Sequence, residues 1–536
     1  MILNPNSAHS LSQRSKTFLK ESKHKDHSIE CGPKLASDQI KGNQNQVWRI
    51  RPSVQHPIIL DFKTDLNVKR LIPILFVGAI LAGWSLPQRQ ADWNEVDAIF
   101  QAKCVSCHAG EEAARGLRLD SWENLVLGSD FGEAIIAYDA DNSLVIELAT
   151  KFSEGSHPEE LGEAALTEEE IAVLRDWIDS GAPSSDGEIP FSNPDDPRLY
   201  VANQGAGMVA VIDMNTNQVA RMVNLMDLGF SEFSMPHHIA VEEDGSFWYV
   251  SLIMDNKILK FTRDNELVGQ VDAVRPGLLA LDPVGPWLYG GRSMMSVSPP
   301  ESVVQIDRET MESEEIGLLM PRPHALLTNH DGSEVYISSL AQNRVATYHD
   351  ETGDLVFDDV EGDRPHVFIH FTISPDGKTM VGTSEVTSNA FVFDLESSEG
   401  IALVDTIGVL RAPWHPIYTA DGKWVVFGNN WTNTITILDM EKRAIAKVIE
   451  GVEGLAQPHG SAASPDGRYV YISQRNLAMP DGHSKEDHVY HARYDFGDNA
   501  HVGTVVVLDM ESMEIVKVIE TEEYASGMGA AVIRNR

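Results

Sequence analysis

Two cysteines and a histidine are the residues best suited to bind a cofactor. Cys104, Cys107 and His108 lie in the stretch AKCVSCHAG, residues 102–110, of a 536-residue chain with 3 cysteines. Two thiols at this spacing, followed directly by histidine, are typical of c-type haem attachment, with one thioether from each thiol and the histidine on the iron. A thioredoxin-like pair would need a βαβ context, a zinc site would need a second Cys/His pair, and an ordinary buried pair is the remaining alternative. The motif predicts one covalent haem c.

Two helices are expected to hold this motif in place. Residues 92–103 lead into it, and their apolar residues recur at helical spacing: Trp93, Val96, Ile99 and Phe100. A second helix follows Thr167, since Glu170 completes a capping box, and it ends before Gly181. We therefore expect a small all-α domain over residues 90–185.

Together with GLRLDS, DNSLVIEL and LTEEEIAVLRDWIDSGAP, the motif makes this region resemble the cytochrome c domain of planctomycetes. The resemblance implies a sixth iron ligand from the methionine of a Met-Pro-Pro segment before the last helix. Here SHPEE takes that place, with His157 where methionine would stand, and no methionine lies between Met1 and Met208. We expect His157 to be the sixth ligand, and the alternative is a five-coordinate iron with His157 on the surface.

The N-terminal part predicts export. Residues 69–88, KRLIPILFVGAILAGWSLPQ, carry no charge from Leu71 to Leu86 and follow a basic pair. This pattern fits a signal peptide or a membrane anchor, and the basic pair would stay inside, so the rest of the chain is expected in the periplasm. The polar residues 1–68 are predicted to be a disordered extension, or else translation starts further downstream.

The net charge restricts the partners. The chain has 80 Asp and Glu against 42 Lys and Arg, a net charge of −38. Nucleic-acid binding needs a basic surface, so no nucleic-acid partner is expected. The predicted haem points instead to a redox partner protein, either another cytochrome or a quinol-linked complex.

Residues 195–536 contain a repeat. Seven similar strands recur about 45 residues apart: LYVAN, WYVSL, LYGGR, VYISS, MVGTS, VVFGN and VYISQ. Asp-Gly turns precede five of these strands, and a second alternating strand follows most of them. Four short strands in each of seven units predict an all-β, seven-bladed propeller. The units resemble the YVTN-type repeat, which occurs in proteins of unrelated activity and leaves function open.

Histidine falls at matching places in these units. Counting back from the Asp of each Asp-Gly turn, the sixth or seventh residue is histidine in five blades: His237, His238, His324, His370, His415 and His459. This place begins the innermost strand, so all six are expected at one mouth of the channel. Imidazole suits copper, iron and zinc, and we expect copper, or a second metal or haem, to bind there. The alternative is that these histidines only help to form a turn and were copied when the repeat was duplicated.

A long loop of the last blade adds to this mouth. It spans residues 476–503 and brings four further histidines towards the same opening: His483, His488, His491 and His501. His366 precedes His370 by four residues and is a weaker candidate.

Two families resemble parts of this arrangement. A cytochrome c domain before a propeller is similar to cytochrome cd-type nitrite reductase, whose propeller binds haem d but has eight blades. The histidine ring is similar to the copper-cluster domain of nitrous oxide reductase, with His237 and His238 as its histidine pair. That family also has a dinuclear copper domain that needs cysteines, and none follows Cys107.

Two hypotheses about function remain open. In the first, the protein is an exported oxidoreductase in which haem c exchanges electrons with a metal or cofactor at the propeller mouth. In the second, it is a non-enzymatic electron-transfer protein whose propeller only docks a partner. A copper ion or a second chromophore in the purified protein would favour the first.

Overall fold

The computed structural model describes residues 91–130, 132–151, 165–397, 400–476 and 502–531. The expectations for the extension, for the segment at residues 69–88, for His157 and for the four loop histidines concern residues outside these ranges. No helix within the described residues combines the length and apolar character needed to cross a membrane.

The N-terminal region is small and has few helices. Within the described ranges these are α1 (Trp93–Lys103), α2 (Trp122–Val126), α3 (Leu144–Lys151) and α4 (Glu168–Asp179), with a 3-10 turn at Ala114–Gly116. Asp92 caps α1 and Thr167 caps α4, and each cap forms a capping box with the glutamate three residues on. Both predicted helices are therefore confirmed.

Packing of α1 against α4 fixes the end of α1. Phe100 and Trp177 are buried in one core, and the Trp93 ring lies 5.5 Å from that of Trp177. At the C-terminal end of α1, Lys103 Nζ lies 2.8 Å from Glu170 Oε2 of α4. These contacts hold the residues that follow Lys103, which are those of the cysteine motif.

The C-terminal part is a seven-bladed propeller of four-stranded antiparallel sheets. Blade 1 combines β1 (Arg198–Asn203), β2 (Met208–Asp213) and β3 (Gln218–Asn224) with the last strand, β28 (Ala525–Ala530). Blades 2 to 4 are β4 (Pro236–Val241), β5 (Phe247–Leu252), β6 (Lys257–Thr262), β7 (Leu267–Asp272), β8 (Pro276–Leu281), β9 (Trp287–Arg292), β10 (Ser302–Asp307), β11 (Ser313–Gly317), β12 (Pro323–Thr328), β13 (Glu334–Ser339), β14 (Arg344–His349) and β15 (Leu355–Asp359).

Blades 5 to 7 follow the same plan. Their strands are β16 (Phe368–Ile373), β17 (Thr379–Ser384), β18 (Asn389–Asp394), β19 (Ala402–Gly408), β20 (Ile417–Tyr418), β21 (Trp424–Asn429), β22 (Thr434–Asp439), β23 (Ala444–Ile449), β24 (Pro458–Ala463), β25 (Tyr469–Gln474), β26 (Gly503–Asp509) and β27 (Glu514–Thr521). The middle strands are buried on both faces, whereas outer strands such as β7 alternate between half-buried and exposed residues. The predicted propeller, with seven blades, is confirmed.

The helical region contacts blade 1 along β3. Ile136 packs into the core shared by blades 1 and 7, and Glu133 Oε2 accepts a hydrogen bond from the Val219 backbone N–H at 3.4 Å. The Arg221 guanidinium lies 5.4 Å from the centre of the Tyr138 ring. These contacts attach the helical region to the propeller.

Candidate functional site

The cysteine motif forms a compact turn directly after α1. Cys104 caps the helix, and its carbonyl accepts hydrogen bonds from the N–H groups of Cys107, at 3.1 Å, and His108, at 2.9 Å. The two thiols therefore lie on one turn, although that turn follows the helix and is not part of it. Cys107 is exposed and Cys104 half-buried, and no disulfide joins them.

The histidine of the motif is oriented for ligation. His108 Nδ1 lies 3.3 Å from the Leu117 carbonyl oxygen. A hydrogen bond from Nδ1–H to that carbonyl leaves the lone pair on Nε2, which is the usual arrangement of a metal-binding histidine. Cys104, Cys107 and His108 therefore fit a c-type haem.

At the mouth of the propeller, the same backbone turn occurs in all seven blades. A non-glycine residue with positive φ stands immediately before the innermost strand, or before its first bridge, in every blade: Met235, Arg275, Arg322, Val367, Ala412, Gln457 and Tyr524. This conformation is unfavourable for a residue with a side chain, so its repetition marks a turn that the fold imposes. In blades 2, 3, 4, 5 and 7, the pairing of the inner strand with its neighbour also shifts register within its first residues.

The six histidines divide into two sets when counted from these turns. His238, His370 and His415 are each the third residue after the positive-φ residue. His237, His324 and His459 are each the second. Adjacent residues of a strand face opposite ways, so the two sets need not meet at one point. The expectation that each histidine begins an innermost strand is wrong for His415, which has a φ of 20° and lies before β20 (Ile417–Tyr418).

The third-position set forms a cluster. One ring nitrogen from each of His238, His370 and His415 lies within 4.8 Å of those from the other two. Two nitrogens bound to one metal ion at about 2.1 Å can be about 4 Å apart at most, so the set is within about an ångström of ligating geometry. The ring centres of His370 and His415 are 4.9 Å apart, and His238 lies 5.5 and 5.9 Å from them.

The second-position histidines lie around this cluster but are not part of it. His459 lies 4.6 Å from the His415 ring and 5.4 Å from the His237 ring. Ser526 Oγ of β28 lies 3.4 Å from His237 Nδ1 and 3.3 Å from His459 Nε2. His324 Nδ1 instead lies 2.7 Å from the Arg292 carbonyl oxygen.

Hydrogen bonds bear on which ring nitrogens can ligate. His370 Nδ1 lies 2.6 Å from the Phe371 carbonyl oxygen and 2.7 Å from the Phe371 backbone nitrogen, and these two contacts correspond to opposite tautomers of the neutral ring. His238 Nδ1 accepts a hydrogen bond from the Leu279 N–H at 3.2 Å, so in the neutral ring the proton is on Nε2. His238 therefore ligates only after this hydrogen bond is broken or that proton is lost.

Burial keeps these imidazoles uncharged. It lowers the pKa of His237 to about 3 and the pKa values of His324 and His370 to about 4. The pKa values of His238, His415 and His459 are held well below the ordinary value for the same reason. Repulsion between imidazoles, were they protonated, adds to the effect, as does Arg475 for His459. Neutral rings at pH 7 carry the lone pairs that a metal ion needs.

Close backbone contacts explain why the cluster uses few blades. The third-position residues of blades 1 and 7 are Gly527 and Gly460. A Cβ on Gly527 would lie 2.2 Å from the His237 carbonyl oxygen, and one on Gly460 would lie 2.6 Å from that of Ser526. No larger side chain fits at these two places, so histidines there are excluded.

His366 lies apart from the cluster. Its Nε2 is 2.8 Å from the Glu361 carbonyl oxygen, its Nδ1 is 3.1 Å from Thr387 Oγ1, and its ring is 4.6 Å from that of Phe391. Both ring nitrogens are occupied and the ring packs within its blade. This supports a structural role.

Two charged residues at the mouth did not emerge from the sequence. Glu385 and Arg475 each follow directly the second strand of a blade, β17 and β25. Burial raises the pKa of Glu385 and lowers that of Arg475. Reading one residue past each of the seven aligned strands would have found both.

Comparison with known proteins gives one family model and several solved structures. Residues 104–156 match the family model of planctomycete cytochrome C, and no curated protein matches the chain. One similar solved structure is hydrazine synthase of Kuenenia stuttgartiensis, 21% identical with a TM-score of 0.39, covering 53% of this chain and 95% of that one.

Two further solved structures resemble the chain. A functionally unknown protein from Desulfotomaculum acetoxidans is 14% identical with a TM-score of 0.47, and the match covers 62% of this chain and 99% of that one. Apo AztD from Citrobacter koseri is 10% identical with a TM-score of 0.44, covering 62% and 98%. Nothing about the function of these proteins carries over at such identities. The chain thus combines a cytochrome c-like domain of the planctomycete type with a seven-bladed β-propeller.

Proposed function

We propose that this protein is an exported c-type haem protein that exchanges electrons between its haem and a metal ion held by His238, His370 and His415. The observation that carries the proposal is the convergence of three neutral imidazoles from three blades on one point. A structural role for a histidine is usually marked by hydrogen bonds to both ring nitrogens, as in His366. Two buried imidazoles and one half-buried imidazole whose nitrogens lie this close are better suited to ligation than to packing.

The residues of the haem site have separate tasks. Cys104 and Cys107 would hold the porphyrin by thioethers, and His108 would ligate the iron through Nε2 while Leu117 fixes its ring. We also propose His157 as the sixth ligand. When bound, the haem supplies one-electron chemistry at a potential set by these ligands.

Copper is the metal that best suits the propeller site. Imidazole nitrogens bind copper, iron and zinc, and zinc has no redox chemistry to exchange with a haem. The proposed ligand set contains nitrogen alone, and copper has the highest affinity of the divalent first-row metals for such donors. His459, beside His415, is the nearest additional imidazole.

We further propose a periplasmic location and a redox partner that is another cytochrome or a quinol-linked complex. The basic pair followed by the uncharged segment from Leu71 to Leu86 supports export, either as a cleaved signal or as a membrane anchor. The net charge of −38 favours a partner with a basic docking surface and argues against nucleic acid.

Metal analysis of the purified full chain tests the proposal. The protein is produced with the machinery for c-type haem attachment, purified without oxygen, and measured for copper, iron and zinc beside its visible spectrum. We expect copper in a fixed ratio to haem iron and, after less than one equivalent of reductant is added without oxygen, transfer of an electron from ferrous haem to bound Cu(II), giving ferric haem and Cu(I). If the protein contains haem iron but no other metal, even after incubation with copper, the proposed metal site of the propeller is wrong. The hypothesis that the propeller only docks a partner would then remain.

A further inference from the structure

Arg475 is a positive charge set beside the histidine cluster. It follows β25 of blade 7, and its guanidinium carbon lies 4.7 Å from the centre of the Trp414 ring and 4.5 Å from that of Tyr524. Trp414 directly precedes His415, and its ring is 4.7 Å from that of His459. Arg475 is therefore held by aromatic rings next to two of the histidines.

Among the described residues, this charge has no counter-ion at contact distance. Within the part of the chain that the structure describes, no ion pair or hydrogen bond joins the Arg475 guanidinium to an acidic group, and its buried Nε has no hydrogen-bond partner. Glu385 is the acidic residue whose charge acts on Arg475: burial raises the pKa of Glu385, Arg475 opposes that rise, and the two do not form an ion pair. An enclosed guanidinium without a partner is costly unless a ligand supplies one.

Two more polar atoms close to Arg475 are also unsatisfied. Among the described residues, the buried Trp414 Nε1 and His459 Nδ1 have no hydrogen-bond partner. Buried donors are nearly always paired, so several unpaired atoms in adjoining side chains indicate a place for a ligand. Arg475 as a whole is half-buried.

We propose that Arg475, with the indole N–H of Trp414, binds a small planar oxyanion, of the carboxylate or nitrite type, beside the histidine cluster. The inference rests on the proposed function in that it names the substrate class of the same mouth. Aromatic contacts occupy the faces of a guanidinium and leave its N–H edge available, and that edge matches two oxygens of a planar anion. The bound anion would also offset the charge of Arg475 and so favour a cation on the neighbouring histidines.

Calorimetric titration of the full-length haem protein tests this inference. Sodium nitrite and sodium formate are titrated separately at constant ionic strength, with chloride as the spherical anion for comparison. We expect saturable binding of nitrite, formate or both, with chloride at least about tenfold weaker. Preference for nitrite over formate would indicate an inorganic oxyanion as the natural ligand, and the reverse preference would indicate a carboxylate.

Variants assign the binding to Arg475. Arg475→Gln should weaken it by about tenfold or more, because a charge-assisted pair of hydrogen bonds is lost. Arg468→Gln is the matched control, since Arg468 also lies against an aromatic ring, 4.8 Å from the centre of Tyr469, but pairs with Asp509. Trp414→Phe keeps the ring and removes the N–H, so a smaller loss is expected, and this variant decides the matter if Arg475→Gln does not fold.

Titrations before and after chelation separate this inference from the metal proposal. Binding that persists in metal-free protein and is lost in Arg475→Gln supports the anion site even if no copper is found. No saturable binding of either planar anion by the parent protein, or equal binding by parent and Arg475→Gln, would overturn it, whatever the metal content.

Discussion

The imidazole rings of His370 and His415 lie 4.9 Å apart, centre to centre, although they belong to neighbouring blades. Both are the third residue after a positive-φ turn, so the repeat places them at one height in the channel. His238 reaches the same point from blade 2. These side chains meet because they occupy the same position in different repeats, and not because they are close in sequence.

The two histidine sets are expected to differ in metal binding. His370→Ala should abolish stoichiometric copper binding by the full chain, since it removes one of the three converging nitrogens. His324→Ala should retain it, because His324 directs Nδ1 at the Arg292 carbonyl and lies outside the cluster. Copper content after dialysis, with circular dichroism to confirm folding, distinguishes the two. Equal loss in both variants would show that the division into sets has no bearing on binding.

Haem attachment is expected to depend on the cysteine motif. Cys104→Ala should eliminate one thioether and so shift the alkaline pyridine haemochrome spectrum, and in combination with Cys107→Ala the haem should leave the chain in a denaturing gel. Ser106→Ala, in the same turn, is the control and should behave as the parent protein. A stained haem band in the double variant would refute covalent attachment.

The sixth ligand can be tested through spin state. If His157 ligates the iron, His157→Ala should convert a low-spin spectrum into a high-spin one and raise the reduction potential. Visible absorption and electron paramagnetic resonance report both forms. An unchanged spectrum would favour the five-coordinate alternative.

The contact between the helical region and blade 1 is expected to depend on pH. Burial raises the pKa of Glu133, so the folded protein binds this proton more tightly than the unfolded chain does. Stability should therefore fall as the pH rises above the ordinary carboxyl pKa, by up to about 1.4 kcal/mol per pH unit, until Glu133 is ionised in both states. Glu133→Gln keeps an acceptor for the Val219 N–H and should lose this dependence.

Urea unfolding between about pH 5 and 8 measures the difference between Glu133→Gln and the parent protein. Glu123→Gln is the control, because Glu123 is exposed on the same region and its replacement should leave the curve parallel to that of the parent. If the stability of Glu133→Gln follows the same pH curve as the parent protein, Glu133 is ionised in the folded protein, and its contact with Val219 does not depend on a bound proton.

Close approach of β28 to β4 is expected to be essential for the mouth. Gly527→Ala would place a Cβ 2.2 Å from the His237 carbonyl oxygen, so we expect a loss of about 1–3 kcal/mol in the free energy of unfolding and weaker copper binding. Gly317→Ala is the matched control, since a Cβ there meets nothing within 4 Å. Chemical unfolding measures the stability of both variants. Equal free energies of unfolding would contradict the close contact between β28 and β4.

The fold was predictable because its signals are local and repeated. Alternating apolar residues and Asp-Gly turns recur at a constant distance, and capping residues such as Thr167 mark helix ends in the sequence itself. The first helix ends at Lys103, where the helix expected over residues 92–103 also ends, and the cysteine motif forms the next turn.

From the sequence, the six histidines could be predicted as one group, but their division into two sets could not. Counted back from the Asp-Gly turns, His238, His370 and His415 are sixth and the others seventh. That difference of one residue decides which way a side chain points, but its meaning depends on the turns and register shifts at the start of each inner strand. Arg475 was missed because a single arginine after a strand has no distinctive pattern until the neighbouring rings are in place.

Closure of the ring by β28 sets an order of events during folding. Blade 1 begins with β1 to β3 but receives its innermost strand only after the strands of the other six blades have been made. Ser526, which lies between His237 and His459, arrives on that same strand. The mouth is therefore incomplete until β28 has joined blade 1, and an ion captured earlier would meet only part of its surroundings.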